Sequence, residues 1–480
     1  MVKAMATMRK IKILAAVLGM TVFATAQDNS TRKEPVSPLG ENAPILNPEN
    51  PPVSGVDEAG LDMRSGERSF LSYGASASET ADSNANNNLG TQSVSSVTHL
   101  LGAMDLQRLY AKTDIFAEYL GGAAFYSNST STVRQLHAAG FMGVMRWRTG
   151  RVTLRDSFSY LPEGSFSIGA FGGVPGLGIA TGSGQSGLAG GGLPGSHFFG
   201  TGQFGSVGLT PRISNSAFVS VVQALTPRSA FTVAAGFSNA HFFDDTHQLI
   251  NSDREMVEAG YSYMLGRRDQ IGAVYGYQQF RFPQDAGGQI NSHIVNLRWG
   301  HTISGRMSII VGGGPEYLTI ETPPPPEGGP AERASHFTGN GKAVFRYRFT
   351  RTSLSATYEK LTTAGSGFFA GSDTQLVRAG ITRPLARTWE LYADLGYSHN
   401  RRLQEQLESG LPGNTFNHVF FRTLLRKHIN REWSAFAAYR FNDLSFDDTF
   451  CVPGEVCSRN SQRHMGSVGI EWHPRPFRLD

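Results

Sequence analysis

The sequence predicts an all-β chain: a transmembrane, antiparallel, up-and-down β-barrel of about 18 strands, with about 16 as the neighbouring even count. Three observations predict it. Apolar residues recur at every second position, the stretches that do so are about twice as long as strands of soluble domains, and short connections alternate with long ones.

The alternation is clearest near the C-terminus. Trp389, Leu391, Ala393, Leu395 and Tyr397 alternate with Thr388, Glu390, Tyr392, Asp394 and Gly396, and Trp433, Ala435, Ala437, Tyr439 and Phe441 alternate with Ser434, Phe436, Ala438 and Arg440. The same period holds at 257–265 and 342–349. Period two means a strand with one apolar and one polar face. Short turns are expected near 110–112, 149–150, 226–229, 266–268, 304–305, 350–352, 386–388 and 430–431. Longer loops are expected near 79–91, 128–132, 161–205, 241–251, 283–289, 321–334, 364–372, 402–413 and 447–458. A bilayer offers no water to unpaired backbone groups, so such strands must pair all the way round. A barrel wall needs apolar residues only on its outer face. That is why 40% hydrophobic residues coexist with a mean hydropathy of -0.24.

From the N-terminus, residues 1–26 carry Lys3, Arg9, Lys10 and Lys12, an apolar run at 13–23 and Ala24-Thr25-Ala26 before Gln27. This is the layout of a cleaved secretory signal peptide, too short to span a membrane as a helix. The formal net charge of +4 belongs to those four bases, because the chain has 43 Lys and Arg against 39 Asp and Glu. What is exported is neutral, which removes any bulk attraction for nucleic acid. Residues 27–67 hold Pro35, Pro38, Pro44, Pro48, Pro51 and Pro52 with little apolar content and read as a mostly disordered tail. The barrel is expected over 68–474, with a long glycine-rich loop at 161–205, and 475–480 is a short C-terminal tail. The loop contains Gly182, Gly184 and Gly187 in a formal dinucleotide-fingerprint spacing, without the strand and helix that would aim it at a phosphate. A surface loop is the plainer reading, and folding into the mouth to narrow it is the alternative.

The five Trp provide an independent marker. Trp147, Trp299, Trp389, Trp433 and Trp472 all fall at short-turn ends, each with the parity of its strand's apolar face. Trp collects at membrane interfaces, where an apolar ring and a polar N–H are both accommodated. Core Trp would have no reason to gather at one end of the strands.

On this pattern, over about residues 68–474, the chain resembles the Gram-negative outer-membrane β-barrels, porin-like in the broad sense. No motif fixes a narrower family. The resemblance implies an outer-membrane location reached through the cleaved signal, short turns and both termini on the periplasmic side, and a periplasmic place for the Pro-rich tail. Its implied partners are outer-membrane lipid, the barrel-assembly machinery and small solutes; a homotrimer is compatible with it. One departure concerns assembly. Such barrels often end on an aromatic residue, whereas here the chain continues past Trp472 to Asp480.

Parity also assigns the inner wall. Its basic candidates are Arg146, Arg148, Arg155, Arg298, Lys342, Arg346, Arg348, Arg378, Arg422, Arg426 and Arg440, and its acidic candidates are Asp114, Glu118, Glu258, Glu359, Glu390, Asp394 and Glu471. The excess of bases points to weak anion preference; pairing across neighbouring strands is the plainer reading. Cys451 and Cys457 flank a Pro-Gly turn in the last long loop, and in an exported protein they are expected to form a disulfide. His241, Asp244, Asp245 and His247 are the one cluster that could serve an enzyme or a metal. An Asp two residues from a His in a surface loop is similar to one element of the omptin proteases, with Asp447-Asp448 as the only offer of a second acidic pair. A polar loop with incidental His is the simpler account, so no catalytic, metal or cofactor site is expected.

The expected function is a pore for passive or substrate-selective diffusion of small solutes. Two alternatives stand beside it. One is a surface hydrolase or protease built on the loops, with Asp245 and His247 as its first residues to test. The other is a non-conducting surface or adhesion barrel.

Overall fold

A computed structural model describes residues 69–85, 93–127, 133–161, 212–243, 249–283, 288–322, 332–365, 367–403, 413–451, 458–472 and 474–479. The signal peptide, the Pro-rich tail and the glycine-rich loop beyond Leu161 lie outside these residues, as do Asp244, Asp245, His247 and Cys457.

The expected strands form. They are β1 (Phe70–Asp82), β2 (Ser95–Leu109), β3 (Thr113–Tyr126), β4 (Val133–Trp147), β5 (Gly150–Leu161), β6 (Arg212–Thr226), β7 (Ser229–Phe242), β8 (Ser252–Met264), β9 (Asp269–Arg281), β10 (Gln289–Ser304), β11 (Met307–Thr322), β12 (Glu332–Arg348), β13 (Ser353–Thr363), β14 (Ser372–Pro384), β15 (Trp389–Arg402), β16 (Thr415–His428), β17 (Trp433–Phe446) and β18 (Asn460–Trp472). Each pairs antiparallel with its sequence neighbours, and β18 pairs with β1 from Ala75 opposite Trp472 to Asp82 opposite Met465. The sheet is therefore a closed eighteen-strand ring without a free edge. The shortest strand, β13, has 11 residues and the longest, β12, has 17. A strand tilted by about 45° needs about 9–11 residues to cross a bilayer.

Closure decides which face is inside. Phe242 of β7 and Phe416 of β16 stand on opposite sides of the ring yet share one buried cluster, and only the interior can bring them together. Most buried strand positions accordingly have inward parity; Thr319, Thr362 and Asp373, near the long-loop ends of β11, β13 and β14, are buried with the other parity. The opposite parity is exposed and apolar, as with Leu100 and Met104 on β2 or Val468 and Ile470 on β18.

The chain does not stop at the ring. β1 pairs with β2 along its whole length, from Phe70 opposite Gln107, but β18 covers it only from Ala75 onward. A short strand β19 (Phe477–Arg478) returns to fill part of the gap, with Phe477 opposite Leu71 and Arg478 opposite Phe70. Arg108 Nη1 donates to the Leu479 carbonyl at 2.8 Å, and the Phe477 ring stacks on Tyr73 with centroids 5.9 Å apart. The residues after Trp472 thus extend the closing seam.

Candidate functional site: the barrel interior and its lid

The glycine-rich loop was the expected candidate for narrowing the mouth, and it lies outside the described residues. The structure shows a different segment inside the barrel: residues 364–365 and 367–371, between β13 and β14. Phe368 and Phe369 are 0% and 1% exposed. Phe368 packs edge-on against Phe416 at 5.4 Å and Phe446 at 5.5 Å, while Phe369 meets Phe416 at 5.4 Å. On the other side, the Ile250 N–H donates to the Gly367 carbonyl at 2.8 Å, and a Cβ on Gly367 would stand 2.8 Å from the Phe242 ring. Ala364 and Ala370 join a second cluster with Phe280, Ile290 and Leu318, inward residues of β9, β10 and β11. The segment is therefore an apolar lid touching both halves of the ring at the long-loop end.

Its backbone explains its sequence. Gly365, Gly367 and Gly371 have φ of 84°, 84° and 90°, a left-handed region that costs a residue with a Cβ about 1–2 kcal/mol. Three such glycines within seven residues let a short loop turn inward and offer two rings to the opposite wall. The Arg402 guanidinium lies 4.6 Å over the Phe369 ring and closes the stack.

Beneath the lid the interior becomes polar, and hydrogen bonds run from strand to strand. Thr363 shares a hydrogen bond with Thr374 at 3.0 Å, Thr374 donates to Asn400 at 2.9 Å, and Asn400 donates to Ser398 at 3.2 Å. On the facing wall, Ser292 donates to Glu316 at 2.7 Å and Arg254 to Gln278 at 2.7 Å. Buried polar groups persist where their partners are supplied, and inward positions on adjacent strands supply them.

The residues assigned to the inner wall distribute unevenly. Arg146 pairs with Asp114, Lys342 with Glu359 at 2.7 Å, and Arg426 with both Glu390 at 3.5 Å and Glu471 at 3.7 Å. Arg378 and Arg422 sit 5.8 and 5.3 Å over the rings of Phe420 and Tyr392. Arg346 and Arg440 face inward on β12 and β17, and Glu258 and Arg298 share a recess with Thr232 and Ser262. Arg155, Glu118, Arg348 and Asp394 belong to β5, β3, β12 and β15, and their side chains lie outside the described ones. Arg148 is a correction. It lies in the exposed two-residue turn after β4, because the strand ends at Trp147 and its parity does not extend into the turn. Parity also places inward several bases not anticipated from the sequence, among them Arg134, Arg151, Arg212, Arg254, Arg402 and Arg463. They sit near strand ends, where the alternation gives way to loops.

The exterior has two boundaries. At the short-turn end, Trp147 donates to Gln223 at 3.0 Å and Trp299 to Asp269 at 3.2 Å; Trp433 lies opposite Trp472, and Lys427 stands 5.4 Å over the Trp389 ring. Nearer the long loops, the sequence reading missed a repeated pair. The Tyr119 hydroxyl bonds the His137 ring nitrogen at 2.8 Å, Tyr275 bonds His293 at 2.8 Å, and Tyr439 bonds His464 at 2.9 Å. In each case the His lies diagonally across the ladder, on the neighbouring strand. Toward the long loops beyond these pairs, charged residues such as Glu255 and Arg281 face outward, 3.2 Å apart. The signal was legible as Tyr and His of matching parity on consecutive strands.

Of the possible enzyme cluster, His241 hydrogen-bonds Asn251 at 2.8 Å and its ring meets Phe243 at 4.9 Å. Asp448 pairs with Arg459. Asp447 is committed to its own loop: it accepts the N–H groups of Asn414, Thr415 and Thr449 at 3.1, 2.8 and 3.2 Å and the Thr449 hydroxyl at 2.7 Å. Partial burial pushes its carboxyl up, but these hydrogen bonds together outweigh burial and hold it below the usual aspartate value. A depressed carboxyl stabilises the loops fully above its unfolded pKa of about 3.9 and loses that contribution as pH falls through the lower folded value. Amide exchange at Asn414 and Thr415 should therefore accelerate in acid below that point, and D447N should exchange fast at pH 7 as well. Equal protection in D447N and wild type at pH 7 would exclude the staple. Cys451, at the end of this loop's short helical turn, is disulfide-bonded.

No family model matches the chain, and no curated protein matches it in sequence. Among solved structures it is similar to the ferric-catecholate import receptor Fiu of E. coli K12 in its open form, at a TM-score of 0.40 and 8% identity over 84% of this chain and 81% of that one. It is similar to Acinetobacter baumannii OccAB4 at 0.38 and 7% over 86% and 100%. For Pseudomonas aeruginosa OccK2 (OpdF) in complex with glucuronate the values are 0.40 and 9% over 86% and 99%. The architecture itself is assigned by this chain's own hydrogen-bonded ring: a closed, antiparallel, eighteen-strand β-barrel.

Proposed function

We propose that the chain is a Gram-negative outer-membrane pore for passive or substrate-selective diffusion of small solutes, weakly anion-preferring and without enzymatic chemistry. The observation that carries this is the two-faced ring: apolar side chains outward on strands of membrane-crossing length, and charged side chains inward. Trp at one rim and Tyr–His pairs toward the other match the aromatic girdles of a barrel in a bilayer. An even number of strands puts the eight short turns and both termini on one side of the membrane, which in this reading is the periplasmic side, with the lid at the outer mouth. Export through the cleaved signal, insertion by the barrel-assembly machinery with Phe477 and Trp472 at the seam, a Cys451–Cys457 disulfide and association of three copies belong to the same reading.

Planar-bilayer recording of the refolded full chain tests it. Under a KCl gradient we expect discrete conductance steps and a reversal potential displaced toward chloride. Clear cation preference would sink the anion assignment, and absence of any conductance would leave a non-conducting barrel.

A further inference from the structure

The inward face of β4, β5, β6 and β7 differs from the rest of the ring. Among the described residues of these strands, the inward positions hold Arg134, Arg146, Arg151 and Arg212 and no Asp or Glu. Asp156 has outward parity and accepts from the Asn215 amide at 3.2 Å. Outside these strands several inward bases meet an acid on an adjacent strand, as Lys342 meets Glu359 or Arg463 meets Asp82, and within them Arg146, at the short-turn end, pairs with Asp114 of β3.

At the long-loop end of this sector lie two buried guanidinium edges. Arg212 opens β6 and is 3% exposed, and its Nε and Nη2 are buried without a hydrogen-bond partner. Arg134, near the start of β4, has a buried Nε in the same condition. Only β5 separates the two strands, a span of about 10 Å at the usual strand spacing. In register, Arg212 lies opposite Phe242, a member of the lid's aromatic cluster. A buried charge without partners is costly, and native structures supply a partner or a ligand. The guanidinium fork matches two oxygens of a carboxylate or phosphate.

We propose that Arg212 and Arg134 form an oxyanion-binding station at the mouth of the barrel, from which the acid-free arginine sector leads small carboxylates or phosphates toward the short-turn end. The proposal rests on the channel reading and adds to it a ligand class and an entry point. An acid-free wall focuses the field for anions, and the station beside Phe242 places the bound anion next to the lid.

The test uses the full chain in planar bilayers bathed in KCl, with inorganic phosphate added on the long-loop side and acetate in a parallel arm. Both anions should reduce the chloride current by occupying the station. R212Q and R134Q should each raise the half-blocking concentration about tenfold, as expected for losing a charge-assisted hydrogen bond. R212K should shift it less, since it keeps the charge and loses only the fork. R383Q, on the outward face of β14, should match wild type. A wild-type chain that carries no KCl current overturns the channel reading itself. A conducting chain that neither anion blocks, or that is blocked equally in wild type, R212Q and R134Q, overturns the station alone. Should R212Q lose its heat-shifted gel band and so fail to assemble, R212K and R134Q decide the matter by the same criterion.

Discussion

Replacing Phe368 and Phe369 together by alanine should raise the single-channel conductance several-fold and admit larger neutral sugars in liposome swelling. The two rings fill the mouth between Phe416 and Phe446 on one side and the Gly367–Phe242 contact on the other. Each fully buried Phe contributes about 1.5–3 kcal/mol from apolar burial alone, so losing both removes the lid's main attachment as well as its bulk. The backbone tie from Ile250 to Gly367 remains, and the ring should stay closed because the lid contributes no strand to it. G367V reaches the same end by another route. It places a branched side chain at a φ of 84° and a Cβ 2.8 Å from the Phe242 ring, so the lid must lift. An apolar constriction blocks ions by excluding water, so both variants should also raise the fraction of time spent conducting. If single-channel traces of F368A/F369A match wild type, solutes cross the mouth by a route that avoids the lid.

The second large effect concerns the seam. Arg463 of β18 and Asp82 of β1 form a buried pair, 3% and 2% exposed, that joins positions 381 residues apart. Arg463 Nε donates to both carboxylate oxygens at 2.9 Å, and Asp82 also accepts the Asn84 N–H at 3.0 Å. D82A leaves the guanidinium buried without its counter-charge and should cost about 3–5 kcal/mol. It should be read as a lower temperature of conversion from the compact to the unfolded gel band and a lower urea midpoint in lipid vesicles. D82L/R463M removes both charges and should recover most of the loss, since a matched apolar pair is often neutral beside a buried ion pair. A D82A barrel within about 1 kcal/mol of wild type would show that the ladder alone holds the seam.

Much of the fold was legible because its determinants are local. The period of two at Trp433, Ala435, Ala437, Tyr439 and Phe441 sets the faces of one strand without reference to any other. Turn length is equally local: a two-residue link such as 148–149 can only join antiparallel neighbours. The inner wall was legible to the same depth, since parity alone places Arg378, Arg422 and Glu390. It failed at strand ends, where Arg148 fell into a turn and Arg134 and Arg212 went unremarked.

The lid was not legible, and the reason is geometric. The stretch from Ala364 to Gly371 is short, glycine-rich and apolar, which describes a turn tip as well as a segment that dives inward. What decides between these is whether Phe242, Phe416 and Phe446 stand where two rings can reach them, and that depends on a closed circumference that brings β7 and β16 face to face. The same holds for Arg463 and Asp82, which meet only because β18 closes on β1. By itself the sequence determined the strands, their faces, their order and the polarity of each wall, because backbone alternation and connection length act over a few residues. The tertiary structure alone decided which loop enters the barrel, which charges pair across the seam and which guanidinium nitrogens are buried without a hydrogen-bond partner, because those contacts exist only once the ring is closed.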